Sequence, residues 1–412
     1  MDHLLDRAGW DAADRLAVRA IAAVFPFRTN SYVVDELIDW ADPLHDPIFR
    51  LTFPQRGMLA AADQARMERL LRDGAPAERV RAAANEIRGR LNPHPAGQVE
   101  LNEPTLGGRP VPGVQHKYAE TVLIFPRPGQ TCHAYCQYCF RWPQFVGEPG
   151  MKIATDDVPA TVAYVRAHPE VTDVLLTGGD PMVMGSAVLR RYIEPLLAVE
   201  HLATIRIGTK SLAYWPHRFV SDTDTDDLLR LFEEVAAAGK HLAIMAHVSH
   251  PRELASATVR AAIQRIRATG AVLRCQAPLI RGVNDDPAAW AGMWQESVRQ
   301  GMVPYYMFVE RDTGPQQHFA VPLLRAYEIF RDAYDQVSGL ARTVRGPVMS
   351  ALPGKVCIDG VAEIAGESVF VLRFLQARDP GQVGRPFFAH RDPAAIWLTD
   401  LKPALGASTL AP

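Results

Sequence analysis

Thr121-Val122-Leu123-Ile124-Phe125, followed after a short link by Cys132-His133-Ala134-Tyr135-Cys136-Gln137-Tyr138-Cys139, places three of the chain's five cysteines within eight residues behind a short apolar run. The run reads as a β-strand and the cysteines as the loop leaving its carboxyl end. Four-iron clusters usually take four thiolates, so three close cysteines without a near fourth imply a cluster with one iron open to a cosubstrate. The plainer alternative is a zinc knuckle with His133 as fourth ligand. Structural zinc sites bring a second ligand pair roughly 12 to 20 residues away, and none follows. An odd, low cysteine count also fits a reducing compartment better than a disulfide framework.

Outward from this stretch the pattern alternates. Short β-branched runs at Thr121–Phe125, Val174–Thr177, Thr204–Gly208, Leu242–His247, Val272–Ala277 and Pro304–Val309 read as strands. Amphipathic segments at 186–197, 225–238, 256–268 and 288–300 read as the helices between them. Repeating units of about 30 residues are the signature of successive βαβ elements. The expected fold is α/β: a partial (β/α)6 TIM-like barrel, with an N-terminal helical domain and a small C-terminal α/β extension. Expected boundaries are 1–115 for the helical domain and connector, 116–345 for the barrel and 346–412 for the C-terminal segment. In the first third, 11–24, 54–71 and 77–91 carry helical spacing, and 39–53 reads as extended or turning.

Chemistry in parallel β/α folds gathers at the carboxyl ends of strands. The polar motifs obey this rule: the cysteines, Gly178-Gly179-Asp180, Thr209-Lys210, His247, Gln276 and Glu310-Arg311-Asp312 each follow or end a strand. Gly178-Gly179 lets backbone approach a neighbour closely, or is a plain tight turn, and Asp180 either meets a cationic ligand or caps the next turn. His247 and His250 read as hydrogen-bonding groups, because no carboxylate pair near them completes a second metal site. Arg281-Gly282-Val283-Asn284-Asp285 reads as a structural loop. Lys355, after Pro353-Gly354 and before an expected hairpin at 356–359 and 369–374, taken alone is a solvated surface charge.

Composition sets the limits. The 412 residues are 48% hydrophobic and 22% charged with a net charge of −2, which offers no broad attraction to nucleic acid or to an anionic membrane. No apolar stretch reaches the roughly 20 residues that span a bilayer, and residues 1–10 lack the order of a signal sequence, so a cytoplasmic location is expected. Many of the 32 prolines fall in loops, and a group of them between Asn92 and Gly129 reads as a connector.

The Cys-x3-Cys-x2-Cys run with an aromatic before its last cysteine resembles the radical S-adenosylmethionine (SAM) superfamily. That resemblance implies a [4Fe-4S] cluster on Cys132, Cys136 and Cys139, with Tyr138 near the SAM adenine and Gly178, Gly179 and Asp180 at its amino group; His247 and Gln276 join the SAM set. Phe140-Arg141, Arg206-Ile207-Gly208, His247–Pro251, Arg281–Asp285 and Pro304-Tyr305-Tyr306 resemble, in order and spacing, the lysine 2,3-aminomutase family over about 91–374. Membership implies pyridoxal 5′-phosphate (PLP) as a further cofactor. Lys355 is then the imine lysine, Lys117, Tyr118 and Lys210 belong to the PLP site, and Arg141 pairs with the substrate α-carboxylate. The implied reaction moves the α-amino group of a free amino acid to its β-carbon. A flavodoxin- or ferredoxin-type reductant is implied as partner, and a homo-oligomer is a further expectation from the relatives.

The chain departs from the family at the substrate side chain. Lysine enzymes hold the distal ammonium with two aspartates, where this sequence has Arg311 and Val348. Arg311 suits a side-chain carboxylate, while Glu310 and Asp312 suit a cationic substrate if the loop register slips by one. The glycine run before Lys355 is abbreviated, and the terminal zinc-binding cysteines of some relatives are missing. A PLP-independent radical mutase or lyase, and a non-catalytic Fe-S or zinc module, are the alternatives.

Overall fold

The computed structural model describes residues 2–148 and 150–410. Eleven strands form one sheet: β1 (Val114–Tyr118), β2 (Thr121–Ile124), β3 (Asp173–Leu176), β4 (Thr204–Thr209), β5 (His241–His247), β6 (Val272–Leu279), β7 (Val303–Val309), β8 (Arg345–Ser350), β9 (Gly354–Ile364), β10 (Glu367–Ala377) and β11 (Pro386–His390). Each strand lies beside its successor. β2 through β8 run parallel; β1 is antiparallel to β2, and β9, β10 and β11 add an antiparallel flank. Among the described residues no ladder joins β1 to the far flank, so the sheet is open. Its ends still approach each other through side chains: Lys117 Nζ donates to the Ala351 carbonyl, and Lys355 Nζ lies 5.5 Å from the Tyr118 ring centroid.

All six expected parallel strands are present, and β8 is a seventh. Gly346-Pro347 lies inside it, although proline cannot donate to a ladder. The strand accommodates the pair with a register shift between Arg345 and Val348. Glycine is required at 346, where a Cβ would lie 2.7 Å from the Met307 carbonyl oxygen.

The connecting helices are α1 (Val158–Ala167), α2 (Ser186–Leu197), α3 (Thr225–Ala237), α4 (Ala257–Ala268), α5 (Pro287–Arg299) and α6 (Leu323–Asp335). Ser256 and Asp286 cap α4 and α5 by accepting from backbone N–H groups of the first turn. Alternation along β4 and β6 shows what the two faces do. Ile205, Ile207, Leu273 and Cys275 are buried, whereas Arg206, Arg274 and Gln276 on the other face are half-buried. Each Ile, Val or Leu so buried contributes about 1.5–3 kcal/mol.

Two N-terminal expectations need correction. The helix expected over 54–71 begins at Ala61, because Gly57 at φ +91° turns the chain before it. Residues 47–52, within the segment expected to be extended or turning, form a helix. Pro47 occupies its first turn, where a missing N–H costs nothing, and Asp46 caps it by accepting from Phe49 N at 2.8 Å. Buried side chains from these N-terminal helices and from β2–β7 form one continuous apolar core, from Ala20 to Val344. A second core lies around β8–β11. Among the described residues no helix is long and apolar enough to cross a membrane.

Candidate active site

A cavity of about 340 Å³ opens at the carboxyl ends of the parallel strands. Cys132, Cys136 and Cys139 line it, with Gly178, Gly179, Arg141, Glu310, Arg311, Lys117, Tyr118 and Lys355. The three cysteines are not paired in disulfides. Among the described residues no three Cys, His, Asp or Glu side chains converge on the position of a single metal ion. A cubane presents a different iron to each thiolate, so its ligands share a wall without meeting at a point.

Backbone contacts from distant segments fix the cysteine loop. Arg28 Nη1 donates to Thr131 Oγ1 (2.8 Å) and to the Cys132 carbonyl (3.2 Å), and Tyr135 N donates to the Arg28 carbonyl. Asn30 Nδ2 reaches the carbonyls of His133 and Tyr214, and Gln137 N donates to the Leu51 carbonyl. From the barrel side, Gly178-Gly179 closes on the loop entry. A Cβ at Gly179 would lie 2.4 Å from both Thr131 N and Thr131 O, and one at Gly178, which has φ +124°, would strike the Gln130 side chain. The close approach that glycine permits here is thus to the cysteine loop itself, with both glycines still on the cavity wall.

Asp180 and Lys210 are engaged by protein. The buried Asp180 carboxylate accepts from Met182 N, Thr209 Oγ1, Lys210 N and Ser211 Oγ. This is the capping alternative, and it leaves the carboxylate committed to holding the end of β4. Lys210 Nζ donates to Glu253 Oε1 (2.8 Å), Ser249 Oγ (3.1 Å) and the His247 carbonyl (3.5 Å). Lys210 lines the cavity, and its Nζ is held in a buried ion pair with Glu253. Tyr138 OH bonds His247 Nε2 (2.8 Å) and Ser249 Oγ (3.2 Å), and burial pushes the His247 imidazolium well below its usual range. Gln276 sits beside His247 in register. His250 caps the turn at 251–254.

Lys355 enters from β9, where it pairs with Ser350 of β8. Its Nζ donates to Gln376 Oε1 at 2.7 Å and lies 5.5 and 5.1 Å from the Tyr118 and Tyr306 ring centroids. Burial, followed by Arg206 and Arg345, lowers its ammonium from 10.5 to about 7. Lys117 is likewise lowered to about 7, by burial and then by Arg311. Lys355 is therefore no solvated surface charge. Gln376 was invisible to sequence reading, because only the β9–β10 pairing brings it to Lys355.

Arg141 and Arg311 share Phe140: their guanidinium carbons lie 4.8 and 5.0 Å from its ring centroid. Among the described residues Arg141 Nη1, Arg311 Nε and Nη2 and Glu310 Oε1 are buried without a hydrogen-bond partner, and Asp312 Oδ1 forms a long ion pair with Arg311 Nε at 3.9 Å. Burial lowers the Arg141 guanidinium to about 10 and pushes the Glu310 carboxyl well above its ordinary value. Asp312 does not line the cavity; its carbonyl and carboxylate accept from Asn92 Nδ2. Val348 also lies off the wall, packed with Tyr306 and Cys357.

An Aquifex aeolicus protein named "Putative L-lysine 2,3-aminomutase" is 32% identical over 388 residues, covering 94% of this chain and 90% of that protein. The chain belongs to the lysine 2,3-aminomutase family of the radical SAM superfamily. The L-lysine 2,3-aminomutases of Bacillus subtilis and Clostridium subterminale are each 28% identical over 56% of this chain, matching 46% and 52% of their own lengths. The aligned region thus spans about half of those relatives. No protein-family model matches. Among solved structures, a radical SAM methyltransferase from Sphaerobacter thermophilus shares 17% identity over 70% of this chain and 94% of its own, at a TM-score of 0.39.

For a 2,3-aminomutase-family cavity the donor set fits the implied groups. Three thiols share one wall, an amine of lowered basicity stands beside two tyrosine rings, and Arg141 and Arg311 have buried N–H groups without a hydrogen-bond partner.

Proposed function

We propose that the chain is a PLP-dependent radical SAM 2,3-aminomutase, built on a partial β/α barrel, that acts on a free amino acid with an anionic side chain. When bound, the cluster and SAM supply a hydrogen-abstracting radical, and PLP supplies an aldehyde that takes up the migrating nitrogen. Cys132, Cys136 and Cys139 would hold the cluster, and Lys355 the aldehyde, with Lys117 and Tyr118 beside it.

The protein's own residues bind and orient. Lys355 is neutral in an appreciable fraction at pH 7, so its amine can add to a carbonyl, and Gln376 Oε1 holds it in place. Arg141 offers a buried planar donor to the α-carboxylate, the geometry that suits bidentate pairing.

The observation that carries the substrate class is the pair of guanidiniums beside one phenyl ring, each with buried N–H groups that have no hydrogen-bond partner. A dicarboxylic amino acid satisfies both. A substrate ammonium ~4 Å from Arg311 would be repelled by about 4 kcal/mol at an effective dielectric near 20. Burial pushes the Glu310 carboxyl well above its ordinary value, which disfavours its charged form, and the Asp312 carboxylate, 3.9 Å from Arg311 Nε, does not line the cavity. Anaerobic incubation of the reconstituted protein with SAM, PLP, dithionite and a panel of amino acids, read by mass spectrometry against β-isomer standards, tests this. Turnover of aspartate- or glutamate-type substrates with none of lysine is expected; the reverse would return the chain to the lysine-specific branch. A protein that takes up iron but no PLP would point to a PLP-independent radical reaction.

A further inference from the structure

Behind the cysteine loop, off the cavity wall, stands a tyrosine that the proposed reaction does not use. β4 ends at Thr209, and the Asp180 carboxylate, by taking Thr209 Oγ1, Lys210 N and Ser211 Oγ, starts a one-turn helix, Ser211–Tyr214. Asn30 Nδ2 then ties the far end of that turn to the loop, donating to Tyr214 O (3.0 Å) and His133 O (3.3 Å). So fixed, the buried Tyr214 side chain brings its hydroxyl to 3.7 Å from Cys136 Sγ.

A metal-bound thiolate carries no proton, so in that pair the hydroxyl is the donor. Lys210 Nζ lies 4.4 Å from the Tyr214 ring centroid. A cation over an aromatic face draws on its electrons, which strengthens the phenol as a donor. Glu253 keeps this cation in place: the pair is buried at 2.8 Å, and Glu253 is itself held by Ser249 N.

We propose that Tyr214, with Lys210 over its ring, hydrogen-bonds the Cys136 sulfur of the bound cluster and raises the cluster's reduction potential. Hydrogen bonds to ligand sulfurs are among the determinants of such potentials. A donor stabilises the extra negative charge of the reduced state more than it stabilises the oxidised state.

The inference rests on the cluster reading of the three cysteines, and failure of that reading shows first: wild-type protein would take up no iron on anaerobic reconstitution, which overturns both. With iron bound, the midpoint potential is measured by redox titration followed by electron paramagnetic resonance. Tyr214→Phe, which removes only the hydroxyl, should shift the midpoint to more negative values at unchanged iron content. Replacing Tyr214 with 3,5-difluorotyrosine, a more acidic phenol of nearly the same shape, should shift it the opposite way. Unchanged potentials in fully loaded variants overturn the proposal. If Tyr214→Phe fails to retain iron, the comparison of difluorotyrosine protein with wild type decides alone.

Discussion

Lys355 Nζ donates to Gln376 Oε1 at 2.7 Å across the pairing of β9 with β10, in the register that sets these two residues opposite each other. The contact holds an amine lowered to about 7 where it faces the cavity. Below that pH the group is an ammonium and cannot add to an aldehyde. Capture of PLP by the apoprotein, followed by absorbance, should therefore quicken with rising pH and level off above about 7 to 8. A rate still climbing toward pH 10 would indicate an ordinary lysine, and Lys355→Ala should abolish the bound-PLP band.

The same lowering couples stability to pH. Between about 7 and 10.5 the unfolded chain keeps a proton on Lys355 that the folded chain has released, so stability rises with pH across that window. Below about 7 the cost of charging a buried amine is fully present. Lys355→Met should raise the melting temperature of the apoprotein at pH 6 and flatten its rise toward pH 10. A wild-type melting curve already flat over this range would contradict the lowered value.

Gly179→Ala tests the interlock between the β3 turn and the cysteine loop. Its Cβ meets backbone atoms of Thr131 and Gly129 that cannot rotate away. Such overpacking costs about 1–3 kcal/mol. We expect a lower melting temperature together with reduced iron incorporation; full iron loading at unchanged stability would show that the loop has room to retreat.

Arg311→Leu removes one of the two guanidiniums at Phe140. Hydrogen bonds to charged groups contribute about 1.5–3 kcal/mol, so KM for an acidic substrate should rise roughly ten- to hundredfold, with the cluster signal untouched. Equal kinetics in the variant would place the side-chain carboxylate elsewhere.

Asn30→Ala leaves the His133 and Tyr214 carbonyls without their shared donor. Iron should be lost to a chelator several times faster than from wild type, while α2–α5 keep their circular dichroism. A chelation rate equal to wild type would mean that Arg28 and Gln137 hold the loop alone.

Much of the fold could be read in the chain because its signals are local. The period-2 pattern of Val272–Leu279 and the cysteine spacing each lie within one short window. β8 could not be read so, since Gly346-Pro347 belongs to a strand only because Met307 lies against it. The same physics divides the site. Cys132, Cys136 and Cys139 stand out by their own spacing, whereas Lys355 becomes a candidate only through the family resemblance. Asn30 meets His133 across 103 residues, and Tyr214, Glu253 and Gln376 likewise acquire roles only through partners brought by folding. The Lys210–Glu253 pair is a further contact of this kind, made between residues 43 apart.

The two ends of the sheet meet around Lys355 without a ladder between them. Tyr118 comes from one edge, Lys355 from the opposite flank, and Lys117 crosses to Ala351. A ligand seated between Tyr118 and Lys355 would act as the missing stave of the barrel, completing in side-chain contacts a circuit that the backbone leaves open. Loading the cofactor and stiffening the molecule would then be a single event.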